Sequence, residues 1–226
     1  MQEIESTAIT QLFDTPKRIS GKDATKSVVQ ENLAANYNIF HFTGHGNYNF
    51  EDPKQSALFL SDEDFITFLE ITQIRLNTYQ LVTLAACETG LMDNQSITDE
   101  FIGLVSAFLY RQTAHVVSTL WTIPEEASSL VMIYFYWQIK KGKTPILALD
   151  KAVSWLRNLT DAKLERWYKV IFAKLPREEQ PLRPFLRNQL SEIRNKSPSE
   201  KQQKKFDHPY YGAAFTITGN INPKSS

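Results

Sequence analysis

The single cysteine of the chain, Cys87, lies in the run Leu84-Ala85-Ala86-Cys87-Glu88-Thr89-Gly90. A histidine, His45, stands between two glycines in Phe42-Thr43-Gly44-His45-Gly46. Each follows a near-continuous apolar stretch of the kind that forms a strand covered on both faces. In open parallel sheets, sites form beyond the carboxyl ends of such strands. A thiol and an imidazole delivered to that edge can meet although 42 positions separate them in the chain. Together they suit an activated cysteine nucleophile. Glycine on either side of His45 frees the backbone and lets a substrate approach closely. Spacing alone leaves a second reading of Cys87 equally open, that of a small buried hydrophobe.

The remaining histidines offer less chemistry. His41 lies inside the first apolar strand and reads as a core histidine with its own partner. Four-residue spacing puts His41 and His45 on one strand face about 13 Å apart, at ~3.3 Å per residue. Ligands of a shared ion sit about 2 Å from it, so no metal site is expected, nor any cofactor. His115 starts a strand and His208 precedes Pro209, neither with an evident partner.

The elements that must position these groups alternate in type. Strands are expected at Tyr37 to Thr43, stopping at Gly44, at Ala57 to Leu60, at Gln80 to Ala86, at Ala114 to Trp121, and at Tyr210 to Thr218. A helix is expected over 23–34 with Asp23 as N-cap. Another follows Asp99-Glu100, with Ile102, Val105, Phe108 and Leu109 on one face. A long helix over 125–141 opens with Glu125-Glu126 and closes with Lys140-Lys141 before Gly142, in keeping with the helix dipole and a glycine C-cap. Thr144-Pro145 begins the next, with Thr as cap and Pro in the first turn. This alternation predicts an α/β fold with a mostly parallel sheet. Residues 157–206 break the rhythm. They are charged, contain Pro176, Pro181 and Pro184, and read as a helical, basic insertion before the last strand.

At 226 residues, 42% hydrophobic and 22% charged, the chain is read as one domain spanning 1–226. A chain of this length buries about 70% of its unfolded surface and needs no disulfide staples. One cysteine also excludes a disulfide framework or a multi-cysteine zinc site. No apolar run approaches the ~20 residues of a membrane span. The first twenty residues lack a signal pattern, so a cytoplasmic location with no membrane partner is expected. Lys+Arg and Asp+Glu balance at 25 each, yet 163–205 holds twelve of the former and five of the latter. Without a nucleic-acid-binding motif, that surplus reads as a solvated helical surface, and nucleic acid is not expected among the partners.

The segments HFTGHG, LAACETG, TDEFIGLVSAFL followed by VVSTLW, and HPYYGAAFTITG closely resemble the CHAT domain. This caspase-like peptidase family, often found after TPR repeats, is related to caspases and separases. The likeness runs from about Glu3 to Asn220. It implies a caspase-like sheet flanked by helices on both faces and a catalytic His–Cys dyad, His45 with Cys87 as nucleophile. The oxyanion would be held by the backbone N–H groups of Gly46 and Cys87. Protein substrates are implied, with a TPR region or regulatory partner. Separases keep an acidic residue four positions after the Trp that ends the third strand, to hold a basic P1 side chain. Here that position is Glu125, with Asp99 as a second S1 candidate, which implies cleavage after Lys or Arg. On local grounds Glu125 serves equally well as a helix-dipole residue. The alternative function is a catalytically silent CHAT-type scaffold or protein-interaction module. The closing motif departs from the family pattern by having Gly212 where Trp is usual, which is expected to loosen packing near the last strand.

Overall fold

Among the described residues six strands join in one sheet: β1 (Ile39–Asn47), β2 (Ala57–Phe59), β3 (Phe65–Thr67), β4 (Leu81–Ala86), β5 (His115–Thr119) and β6 (Phe215–Gly219). The computed structural model describes residues 1–47, 49, 51–61, 63–76, 79–86, 100–175 and 181–219. They divide into two units, Ile19–Ile123 with Ala214–Ser226, and Met1–Arg18 with Pro124–Ala213. The sheet belongs to the first. Its order is β3-β2-β1-β4-β5-β6, with β1, β4 and β5 parallel and β2, β3 and β6 antiparallel to their neighbours. The α/β fold is as the alternation predicts, and its parallel character is confined to the centre.

Helices α2 (Lys26–Leu33), α3 (Phe68–Gln73) and α4 (Glu100–Tyr110) share a core with one sheet face. Val29, Leu33, Ile71, Leu104 and Phe108 meet Phe40, Phe42, Leu58, Ile66, Val82, Leu84 and Val116 there. On the opposite face Leu81, Thr83, Ala85 and Val117 are buried as well. Burial on both sides explains why these strands read as unbroken apolar runs.

Three local expectations are corrected. Strand β1 does not stop at Gly44. It continues to Asn47 by exchanging one neighbour for another, pairing with β4 through Gly44 and with β2 from His45. Thr25, rather than Asp23, caps α2: its Oγ1 accepts from the Val28 N–H at 3.5 Å, and Asp23 sits in the preceding 3-10 turn. The later start turns Val29 and Leu33 toward the core. The closing stretch opens with a helical turn, α9 (Pro209–Ala213), before β6, because Pro209 suits a first helical position. The sequence reading also passed over β3 and α3, although Thr67 and Glu70 form a capping box with both reciprocal bonds made.

The second unit is helical: α1 (Gln2–Thr10), α5 (Glu125–Lys140), α6 (Pro145–Arg157), α7 (Asp161–Lys174), α8 (Leu182–Arg194) and α9. Helix α5 buries ten residues, among them Ala127, Val131, Phe135 and Tyr136. Gly142 ends it at φ +77, as a C-capping glycine should. Thr144 Oγ1 accepts from the Leu147 N–H at the start of α6. The insertion before the last strand is helical as expected. Pro181 stands at the N-cap of α8 and Pro184 in its first turn, so both fall where a helix begins. Leu164, Tyr168, Leu182, Leu186, Leu190 and Ile193 of α7 and α8 are all buried.

Gly212 works opposite to expectation. A Cβ there would lie 2.7 Å from Val153 Cγ1, so the missing side chain lets α9 sit tightly against α6.

Candidate active site

Because β1 and β4 are parallel, their paired stretches run out at the same edge of the sheet. Their last paired residues are Gly44 and Ala86. His45 follows Gly44 in the chain, and Cys87 follows Ala86. Cys87 and Asp99 lie outside the described residues. His45 is partly buried and faces Phe59 of β2 in register, with Gly46 facing Leu58. The imidazole therefore projects from a backbone that a second strand holds, rather than from a free loop. At Gly44 a Cβ would come within 2.7 Å of Phe42 Cζ. Glycine there leaves room for the Phe42 ring to lie back along its own strand.

His41 is only partly buried, yet it has the partner of its own that the sequence suggested. It pairs in register with Thr83, and its Nδ1 shares a hydrogen bond with Thr83 Oγ1 at 2.5 Å. Asn49, between β1 and β2, is tied to residues that follow it in the chain. Asn49 Oδ1 accepts from the N–H groups of Glu51 and Asp52 at 3.0 and 2.9 Å. The Asn49 N–H donates to Ser56 Oγ at 3.1 Å, and Ser56 is fully buried. Asn49 and Ser56 were missed by sequence reasoning. The signal was an Asx turn before Pro53.

Glu125 is the first residue of α5, in the helical unit. Its side chain is half exposed, and Oε2 lies 3.5 Å from the terminal amine of Met1. Its neighbour Glu126 receives Lys205 Nζ on both oxygens, at 2.6 and 2.7 Å. His115 is buried in β5. His208 Nδ1 accepts from the Tyr210 N–H at 3.2 Å, at the start of α9. Among the described residues no group of three or more His, Cys, Asp or Glu is placed to hold a metal ion. No helix among them is long and apolar enough to cross a membrane.

A family model for the CHAT domain matches residues 2–220. The chain belongs to the CHAT domain family. No curated protein matches it significantly. Membership agrees with the motifs that carried the resemblance, and it places this CHAT domain in a caspase-like, peptidase-related family.

Proposed function

We propose that this CHAT domain is a cysteine endopeptidase that hydrolyses peptide bonds in protein substrates through a His45–Cys87 dyad. One observation carries the reading beyond family membership. The last parallel pair at the carboxyl edge is Gly44 with Ala86, and the two chemically capable residues come next on these neighbouring chains. In the reaction, the Cys87 sulfur attacks the scissile carbonyl and the leaving amine takes a proton from imidazolium His45. Water then attacks the thioester and gives one proton to His45, which releases the carboxylic acid and restores the Cys87 thiolate beside imidazolium His45. The N–H groups of Gly46 and Cys87 are the proposed oxyanion donors. Glu125, with Asp99 as second candidate, is proposed to hold a Lys or Arg side chain before the scissile bond. Partners on this reading are polypeptide substrates and a TPR region or other regulatory protein, in a cytoplasmic setting.

The test is the rate at which iodoacetamide labels Cys87. A dyad thiolate should react at least roughly ten-fold faster than a free thiol at the same pH, and His45→Ala should remove the advantage. Cys87→Ala should abolish cleavage of co-expressed candidate proteins. A thiol that reacts only after denaturation would leave the domain as a silent scaffold.

A further inference from the structure

We propose that Phe59 and Phe65 form an apolar subsite beside His45 that takes a bulky aromatic or aliphatic side chain of the polypeptide substrate. The proposal rests on the catalytic reading of His45 above. Its basis is register. His45 of β1 stands opposite Phe59 of β2, and Phe59 stands opposite Phe65 of β3. Directly opposed residues of antiparallel strands project to the same side, so the three side chains form one row across the sheet. Strands are spaced about 4.8 Å apart. Phe59 therefore lies roughly 5 Å from His45 along the row, and Phe65 roughly 10 Å.

The alternate residues of the same hairpin show what the row is not. Leu58 and Ile66 project to the other side and are 1% exposed, inside the core. Phe59 and Phe65 are 45% and 41% exposed. A lone exposed phenylalanine calls for no explanation. Two of them, opposed to each other and in line with the candidate general acid, set an apolar row leading away from the reacting bond.

The row is held still. Between β2 and β3 the Leu60 N–H donates to Asp64 O at 2.8 Å, and the Asp64 N–H donates to Ser61 O at 2.9 Å. The turn is tied to the start of α2 by the Ser61 N–H on Ala24 O at 2.9 Å. The Lys26 N–H on Asp64 Oδ2 at 2.8 Å makes the second tie. Lys26 Nζ lies 4.8 Å from the Phe65 ring centre and pairs with Glu70 at 2.9 Å, which closes the far end of the row with a cation. An extended peptide advances about 3.4 Å per residue and turns alternate side chains to one side. The residue two positions from the scissile bond then falls about 7 Å along, between the two rings, where an aromatic or long aliphatic side chain contacts both.

Binding to the full chain carrying Cys87→Ala, which needs no turnover, tests the subsite. Fluorescent decapeptides with a central Lys carry one Phe walked through a serine background, and their affinities are read by anisotropy. Phe second from the bond that follows the Lys, on one side of that bond, should bind at least about five-fold tighter than Ser. Phe59→Ser or Phe65→Ser should erase the preference and Phe59→Leu should keep it, with melting temperatures confirming that each variant folds. Equal affinity for Phe and Ser peptides, no binding at all, or a preference that survives Phe59→Ser overturns the subsite. Iodoacetamide labelling of the native chain, run alongside, separates the two readings. Fast, His45-dependent labelling without a Phe preference removes the subsite alone, and slow labelling indifferent to His45→Ala removes the catalytic reading.

Discussion

At the scale of single residues, two glutamates that are neighbours in sequence have different surroundings. Glu126 is clamped by Lys205, whereas Glu125 is half exposed at the very start of α5. Glu125 also faces the terminal amine of Met1 at 3.5 Å, and it is the one proposed to exchange that cation for a substrate's. A carboxylate pairs with guanidinium through two charge-assisted hydrogen bonds and with ammonium as a point charge. Where a bound substrate desolvates the pair, loss of one partner costs about 2–5 kcal/mol, or roughly 30- to 5000-fold in kcat/KM. Glu125→Gln should accordingly lose most activity on Lys and Arg substrates while leaving Cys87 labelling intact. A peptide library in which Asp or an apolar residue dominates before the cleaved bond would reduce Glu125 to a helix-dipole residue.

At the scale of elements, Gly212 and Glu70 show how a short helix is held. Alanine is favoured over glycine inside a helix by about 1 kcal/mol, yet a Cβ at 212 would press on Val153 Cγ1 at 2.7 Å. Val is stiff at χ1 and overpacking costs about 1–3 kcal/mol, so the clash wins. Gly212→Ala should lower stability by about 1 kcal/mol, and in a Val153→Ala background the same change should become neutral or stabilising. A double-mutant cycle by chemical denaturation checks this. Glu70 supports α3 and, through Lys26, the start of α2. Burial raises its pKa, but hydrogen bonds from the Thr67 N–H, the Lys26 ammonium and the Thr67 hydroxyl outweigh that and hold it below 4.5. A lowered folded-state value means stability that is present above the unfolded pKa and lost as pH falls through the folded one. Glu70→Gln should therefore cost about 0.5–1 kcal/mol at neutral pH. The gap from wild type should close as the pH falls from 4.5 through the lowered folded-state value.

At the scale of the whole molecule, the basic 157–206 segment has a buried side as well as a charged one. Trp155 of α6 lies 5.0 Å from Trp167 of α7 and stacks on Tyr134 of α5 at 4.4 Å. Leu186 of α8 is 1% exposed and lines a small apolar void with Ile4, Leu130 and Trp167. Some of the segment's cations are spent locally, Lys196 on Asp161 and Lys205 on Glu126. Leu186→Ala should cost about 3 kcal/mol in denaturant unfolding, whereas the exposed Arg187→Ala should stay within about 0.5 kcal/mol. If Leu186→Ala proves silent, α8 is an appendage and not part of the helical unit's core.

Much of this was legible in the chain itself. Unbroken apolar runs shortly before His45 and Cys87 announced central parallel strands, since strands covered on both faces have no polar side to alternate with. Thr144-Pro145 and Gly142 marked helix ends, because caps depend on a few adjacent residues. The family, too, was readable from four short motifs. Other features depend on partners far away in sequence. Nothing local says that β1 exchanges β4 for β2 at His45, that Gly212 is small because Val153 lies against it, or that Phe59 and Phe65 share a row with His45. Strand register is a non-local quantity, and a slip of one residue would turn the two phenylalanines into the core and Leu58 and Ile66 out of it. The sequence by itself determined which residues could do chemistry and which strands would carry them. The tertiary pairing alone decided what stands beside His45, because side chains 14 and 20 positions apart become neighbours only when strands lie side by side.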